Sequence, residues 1–335
     1  MKLTNFVAVA CCFSLLSSST SALAASESAY IAPLASKSLL LDIEKNGKQL
    51  VAVGERGHIL LSDDGKSWQQ QNVPTQSTLN GVYASGDHLW VVGHDAVILA
   101  SSDAGHSWEL QQFIPELERP LFDVLFFNEM QGIAVGAYGV FFRTEDGGKH
   151  WEREYHTAFL HPDDREYIES LQGEDPEFFK QEMASILPHL NRLSFHNGQV
   201  FVTGEIGLVA VSDDMGKTWK RLETGYYGSF FDVKPMQDGT VIAAGLRGSV
   251  YRSDQTLSSW RRIETGTTST FNSIVNIDDQ TTLLVGNNGT KLLLQGDKPQ
   301  ITHTEDGKAL VSATYYNQQV LAVSEIGVKG LSLKN

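Results

Sequence analysis

The sequence predicts an all-β fold, a seven-bladed β-propeller of four-stranded antiparallel blades, and three observations carry that prediction. A phrase returns roughly every 40 residues: a hydrophobic run, a Gly-x-x-Gly turn, a second run, then an acidic-glycine turn closed by tryptophan. The Gly-x-x-Gly turns stand at 54–57, 93–96, 136–139, 204–207, 245–248 and 286–289, with a worn seventh copy at 324–327. Each repeat is built from short runs of Val, Ile, Leu and aromatics bounded by turn residues, which suits strands. A self-similar period of this length marks propellers, solenoids or arrays, and radial repetition protects sheet edges.

Taken in chain order, residues 1–24 read as a secretory signal. Lys2 precedes an apolar stretch over 6–16, and Ala22-Leu23-Ala24 offers a cleavage site after Ala24. The stretch is too short for a spanning helix and lacks a stop-transfer flank. An alternative lipoprotein reading uses Ala8-Val9-Ala10-Cys11. Cys11 and Cys12 are the only cysteines, so residues 25–335, read as one propeller domain, carry no disulfide, thiol nucleophile or cysteine metal ligand. An exported, cysteine-free domain suits the bacterial periplasm. The formal charge of -14 disfavours nucleic acid and anionic membrane surfaces, so the protein is expected to be peripheral to a membrane rather than integral.

Within the second repeat, strands are expected at 79–83, 89–92, 97–100 and 108–111. The last repeat offers three, near 309–315, 320–324 and 327–333, and residues 28–33 are expected to supply its outer strand and close the ring. Pro33 is tolerable in such a strand, one side of which is unpaired. The acidic turns are 62–68, 101–108, 144–151 and 212–219. Asp63, Asp103, Asp146 and Asp214 are read there as hairpin clasps that accept backbone N–H bonds rather than as metal ligands or catalytic acids. A fifth copy, from Ser253-Asp254 to Trp260, keeps only its ends, and the sixth is replaced by Gln295-Gly296-Asp297. Thr304-Glu305-Asp306-Gly307 lies too far beyond its glycine to count as a repeat.

Only the step from Gly136 to Gly204 is long, and it measures an insertion over 157–190. Asp175 followed by Pro176 starts a helix, with the acid as cap and proline at the first helical position. Phe178, Phe179, Met183, Ile186 and Leu187 give it an apolar face, and it stops before Pro188. A shorter helix is expected over 162–171, with Tyr167, Ile168 and Leu171 as its apolar side. In a four-stranded blade, the link from outer strand to next inner strand emerges on the face that carries the second-to-third strand turns. The insertion therefore rises beside the Gly-x-x-Gly turns, and the acidic turns lie opposite. Candidate partner-binding residues on that face are Arg56, Arg247, Glu55, His94, Asp95, Tyr138, Glu205 and Asn288, with Tyr167, Phe178, Phe179 and Met183 from the insertion.

The acidic turns resemble the Asp-box of sialidases and other propellers. A fuller resemblance, covering nearly all of the chain after residue 24, is to the photosystem II assembly and stability factor family. It is carried by Val53-Gly54-Glu55-Arg56-Gly57-His58-Ile59-Leu60 leading to Trp68, and by Val135-Gly136-Ala137-Tyr138-Gly139 leading to Trp151. The resemblance implies a non-enzymatic chaperone that holds a membrane-protein precursor on the exported side, using arginines near the propeller axis. Here Gly-x-Arg-Gly survives only at Arg56 and Arg247; the same slot holds Asp95, Tyr138, Ile206, Asn288 and Ile326 elsewhere. Similar proteins in bacteria without photosynthesis accompany exporters of the resistance-nodulation-division type. An envelope membrane protein, such an exporter among them, is the partner this implies.

The alternative is a glycan-binding or sialidase-like propeller, suggested by the Asp-boxes and by Tyr138, Tyr226 and Tyr227. A sialidase needs a convergent arginine triad, a tyrosine–glutamate nucleophile and a general acid, and the suitable slots supply only Arg56 and Arg247. His58, His94 and His106 fall in different repeats without a His-x-x-x-His spacing, and no phosphate loop occurs. No catalytic set, metal or cofactor is expected.

Overall fold

The computed structural model describes residues 27–333; the expected signal peptide and its cleavage point lie outside the described residues. The chain forms seven antiparallel sheets, six of four strands and one of three, each with its strands in consecutive order. Sheets 1 to 7 begin at inner strands Leu40–Asn46, Leu79–Ser85, Leu121–Phe126, Leu190–His196, Phe230–Pro235, Phe271–Asn276 and Leu310–Tyr316. Each inner strand packs against the next, and that of sheet 7 packs against that of sheet 1. In sheet 2 the remaining strands are His88–Gly93, Ile98–Ser101 and Glu109–Gln112, within about two residues of the sequence expectation.

The core lies between neighbouring sheets. Second strands such as Gln49–Gly54 are covered on both faces, which is why Leu50-Val51-Ala52-Val53 reads as a continuous apolar run. Val51, Val53 and Ile59 of sheet 1 pack on Leu79, Val82, Leu89 and Val91 of sheet 2. Outer strands in sheets 1, 3 and 4 shrink to two polar or charged residues, for example Gln69–Gln70.

The expected closing strand does not form. Sheet 7 has three strands, Leu310–Tyr316, Gln319–Ser324 and Gly327–Leu331, and residues 28–33 run instead along the outside of sheet 1. Ala29 N donates to Val73 O at 2.9 Å, Gln70 Nε2 donates to Tyr30 O at 2.9 Å, and Ala32 N donates to Gln70 Oε1 at 2.8 Å. A glutamine side chain thus takes the place of a strand ladder, and Pro33 has no N–H to offer one. Side chains join sheet 7 to sheet 1 instead. Tyr316 and Leu321 pack on Leu40, Leu50 and Leu60, and the Tyr316 hydroxyl lies 2.7 Å from the Lys48 carbonyl and 2.6 Å from that of Asp63.

The acidic turns are hairpin clasps, with one correction of residue. In the first turn Asp64, not Asp63, accepts the amides of Lys66 and Ser67, each at 2.7 Å. Asp103, Asp146 and Asp214 accept the amides of Ser107, His150 and Thr218 at 2.8, 3.0 and 2.8 Å. One residue fewer separates Asp64 from its tryptophan, which shifts the clasping position by one. Asp254 in the fifth copy also clasps, accepting Ser258 N at 3.0 Å, so this copy retains more than its ends. Bonds led by the Ser67 amide, the Ser107 hydroxyl and the His150 ring hold Asp64, Asp103 and Asp146 down at about 2.

The insertion forms α1 (Pro162–Glu174) and α2 (Pro176–Ile186), the first reaching past the expected end. Asp175 caps α2 by accepting Phe178 N at 3.0 Å, a contact worth about 1 kcal/mol. Ile168, Phe179, Met183 and Leu187 are buried with Phe141, Phe159 and Leu160 over the junction of sheets 3 and 4, each large side chain contributing about 1.5–3 kcal/mol. Leu187 fits against the bare α-carbon of Gly139, where an added Cβ would lie 2.3 Å from the Leu187 Cβ.

Candidate functional site

The Gly-x-x-Gly turns share one geometry. The first glycine is required by contact: a Cβ on Gly54 would lie 2.2 Å from Leu39 O, where the inner strand begins. The third residue is left-handed in six turns, with φ of 56° at Arg56, 59° at Asp95, 51° at Tyr138, 54° at Ile206, 56° at Arg247 and 57° at Asn288. This conformation costs a residue with a side chain about 1–2 kcal/mol, so each turn is held by its surroundings.

The candidate residues separate into different roles. Glu55 and Glu205 brace inner strands: Glu55 Oε1 accepts Leu39 N at 3.3 Å, and Glu205 Oε2 accepts His189 N at 3.0 Å. Asp95 Oδ2 accepts the Ser77 hydroxyl at 2.6 Å. His94, Asn288, Arg56 and Arg247 are exposed. The two arginines make no ion pair among the described residues and stand on sheets 1 and 5, while the helices cover sheets 3 and 4. Of the insertion residues, Phe179 and Met183 are core, and Tyr167 and Phe178 stay exposed at 57% and 39%.

Tyr138 belongs to a cluster around His189, whose Nδ1 also lies 3.4 Å from Glu205 Oε2. Its ring meets His189 edge-on at 4.5 Å and lies under the Arg119 guanidinium at 5.2 Å. The Tyr138 amide donates to His189 Nδ1 at 3.1 Å. Phe122 completes the group, 5.8 Å from His189.

This cluster stands at the mouth of the axis, a feature that sequence reasoning missed. Inner strands carry a bulge between their first and third residues, which turns two successive residues toward the axis. The upper level is Leu41, Asn80, Phe122, Asn191, Phe231, Asn272 and Val311; with His189 and Arg192 it lines a cavity of about 330 Å³ on the Gly-x-x-Gly face. The level below is Asp42, Gly81, Asp123, Arg192, Asp232, Ser273 and Ser312.

These two levels latch the sheets in alternation. From odd-numbered sheets, Asp42, Asp123 and Asp232 accept the inner-strand amides of Val82, Leu193 and Ile274 on the next sheet, at 3.1, 2.7 and 2.6 Å. From even-numbered sheets, Asn80, Asn191 and Asn272 donate to the carbonyls of Leu121, Phe230 and Leu310, at 2.7, 2.7 and 2.8 Å. Sheet 7 returns to sheet 1 through the Ser312 hydroxyl, 2.7 Å from Asp42 Oδ1. The signal was present in the sequence as Leu41-Asp42, Phe122-Asp123 and Phe231-Asp232 alternating with Asn80, Asn191 and Asn272.

Arg192 crosses the axis from sheet 4 to reach Asp42 at 3.1 Å and Asp123 at 3.7 Å. Burial opposes its charge, but Asp42, Asp123 and Asp232 outweigh burial and hold the guanidinium charged. Burial pushes the Asp123 and Asp232 carboxyls upward, and Arg192 pulls against it. The arginine at the axis is therefore neutralised within a net acidic ring, while Arg56 and Arg247, taken as axial from the sequence, do not line the mouth. Among the described residues no group of three His, Cys, Asp or Glu is disposed to hold a metal ion.

Residues 24–117 and 110–308 match the family described as Photosynthesis system II assembly factor YCF48. The chain belongs to that family. Among curated relatives, the photosystem II assembly lipoprotein Ycf48 of Trichormus variabilis is 27% identical over 106 residues, 30% of this chain and 31% of that protein. The photosystem II assembly protein Ycf48 of a Synechococcus species is 32% identical over 65 residues, 19% of this chain and 20% of that one. These matches span about a third or less of the relatives' length. The fold extends further. A solved structure of YCF48 bound to D1 peptide superposes with a TM-score of 0.65 at 15% identity, over 92% of this chain and 96% of that one. YCF48 from Cyanidioschyzon merolae gives 0.65 at 17%, over 88% and 95%. The chain is thus an Asp-box propeller of the YCF48 kind.

Proposed function

We propose that this chain is a non-enzymatic, protein-binding propeller that assists assembly or operation of an envelope membrane complex, acting from the periplasm after export. The observation that carries the reading is the axial mouth. It joins the apolar side chains of Leu41, Phe122, Phe231 and Val311 to a shoulder made of exposed Tyr138 and half-buried Arg119, beside the helical insertion. Such a combination suits a partner segment with an apolar anchor. Family membership and a relative solved with a membrane-protein peptide support a membrane protein or its precursor as the partner. No helix among the described residues is long and apolar enough to cross a membrane, in keeping with a peripheral role. The narrower reading, that the partner is a resistance-nodulation-division exporter, rests on the sequence resemblance alone.

Affinity capture from membranes of the source bacterium tests this. Phe122→Asp with Tyr138→Ala should lose the membrane-protein partner that the unaltered protein retains, and deletion of 162–187 should weaken it. Arg56→Glu with Arg247→Glu should have the smaller effect. An unchanged partner set across all three would remove the Gly-x-x-Gly face as the site.

A further inference from the structure

Sheet 7 ends on a strand with no neighbour. The other six sheets have a fourth strand, whereas sheet 7 stops at its third, Gly327–Leu331. Among the described residues the backbone of Val328 to Leu331 bonds only to the second strand, Gln319–Ser324, so its outer N–H and C=O groups stand in a row without partners. The strand is five residues long, about 16 Å, while the fourth strands of sheets 1, 3 and 4 have two residues each. The open edge can therefore hold a longer segment than those.

Natural sheets blunt an edge with proline, a bulge or an outward lysine, and this edge has no such guard. The strand contains no proline, its register against Gln319–Ser324 is unbroken, and its single lysine, Lys329, turns back to pair with Asp306. Val328 packs toward sheet 1 and Leu331 toward sheet 6, so Gly330 shares the sheet 1 side. Gly330 is exposed, and a Cβ there would meet nothing within 4 Å, which leaves room for a neighbour's side chain. At the Gly327 end, Leu34 is 63% exposed just ahead of the turn Ala35–Lys37 that packs on the strand.

The edge carries a lysine at each end. The backbone of Lys37 abuts Gly327, and Lys291 Nζ donates to Ser332 O at 3.0 Å; neither lysine makes an ion pair among the described residues. The carboxylates of Asp306 and Glu325 are occupied by Lys329 and Lys308. This charge suits an acidic segment and disfavours a second copy: two such strands paired antiparallel would set the Lys37 end of each against the Lys291 end of the other. The first described residue of the chain does not approach the edge either, since Glu27 accepts a bond from Gln76, in the link from sheet 1 to sheet 2.

We propose that the open edge of sheet 7 is a second protein-binding surface, which takes a short extended segment of another protein as its fourth strand. The segment runs antiparallel to Gly327–Leu331, as the fourth strands of the other sheets run to their neighbours. It presents acidic residues to Lys37 and Lys291 and lays an apolar side chain over Gly330. The surface lies at the rim of the ring, away from the axial mouth, and stands or falls separately from it.

Fluorescence anisotropy at low salt tests this with three short labelled peptides of alternating valine and threonine. One has aspartate at both ends, one has lysine at both ends, and one has aspartate ends with a central proline. The first should bind saturably and about tenfold tighter than the other two, its advantage over the lysine-ended peptide shrinking as salt rises. Hydrogen exchange at Val328 to Leu331 should slow on binding while that of the inner strands is unchanged. Lys37→Glu with Lys291→Glu should reverse the preference between the aspartate-ended and lysine-ended peptides. The proposal is overturned if the aspartate-ended peptide does not bind, if it binds without slowing exchange at 328–331, or if the double substitution leaves the preference as it was. It is overturned too if those amides are already protected in the free protein, whether by a second copy, seen as a concentration-dependent dimer in sedimentation, or by the chain's own residues.

Discussion

The chain uses aspartate twice, in opposite ways. Asp64, Asp103, Asp146 and Asp214 sit in exposed hairpins and bond to groups within four residues of themselves. Asp42, Asp123 and Asp232 are buried at the axis and bond to amides 40, 70 and 42 residues away. The first set is held well below the usual carboxylate range by local donors; burial pushes Asp123 and Asp232 of the second set above it. A carboxylate in water needs only good donors, whereas one removed from water needs donors and a compensating charge. The hairpin aspartates therefore shape single sheets, and the axial aspartates hold sheets to one another.

Breaking the axis should cost most. Arg192→Met leaves three buried carboxylates without their cation, and a loss of about 3–5 kcal/mol in urea unfolding is expected. A loss below about 1 kcal/mol would mean that the ring's backbone donors suffice alone.

The pH dependence should separate the two sets next. Burial pushes Glu44, beside the ring, from 4.5 up to about 7, so the folded chain keeps a proton that the unfolded chain releases. That stability is complete below pH 4.5 and is lost as pH rises through 7. The Asp-box carboxylates, held at about 2 against an ordinary 3.8, contribute stability that is present above pH 3.8 and lost as pH falls through 2. Melting temperature should form a dome with its top near pH 4–5. Burial also pushes Asp123 up to about 7, so Glu44→Gln should make the neutral side shallower without flattening it and leave the acid side unchanged; an unaltered neutral limb would assign it to the ring aspartates.

The smallest effect belongs to the hairpins. Asp214→Ala removes bonds to Thr218 and Ser212 on an exposed turn, and about 1 kcal/mol is expected. Hydrogen exchange should quicken only in sheet 4. Faster exchange in sheets 3 or 5 would show that this clasp also ties sheets together.

Much of this fold was legible in the residues because its determinants are local. Turn glycines, apolar runs and the Asp175-Pro176 helix start each depend on a few neighbouring positions, and the strands and α2 follow them. The site was less legible. Arg56 and Arg247 stand out in the sequence as the two turns that keep Gly-x-Arg-Gly, yet those turns hold them apart on sheets 1 and 5. Glu55 and Glu205, grouped with them by position, spend their carboxylates on the amides of Leu39 and His189. The first turn is one residue shorter than the rest, so spacing from the tryptophan points to Asp63 where the hydrogen bonds go to Asp64.

By itself the sequence determined the repeat, its strands, its acidic hairpins and the place of the inserted helices, since each is specified by contacts a few residues apart. Only the tertiary structure decided how sheet 7 meets sheet 1 and what fills the axis. Those depend on pairs such as Ser312 with Asp42 and Arg192 with Asp42, 270 and 150 residues apart. No periodicity along the chain records which side chains meet at a centre to which every sheet contributes one.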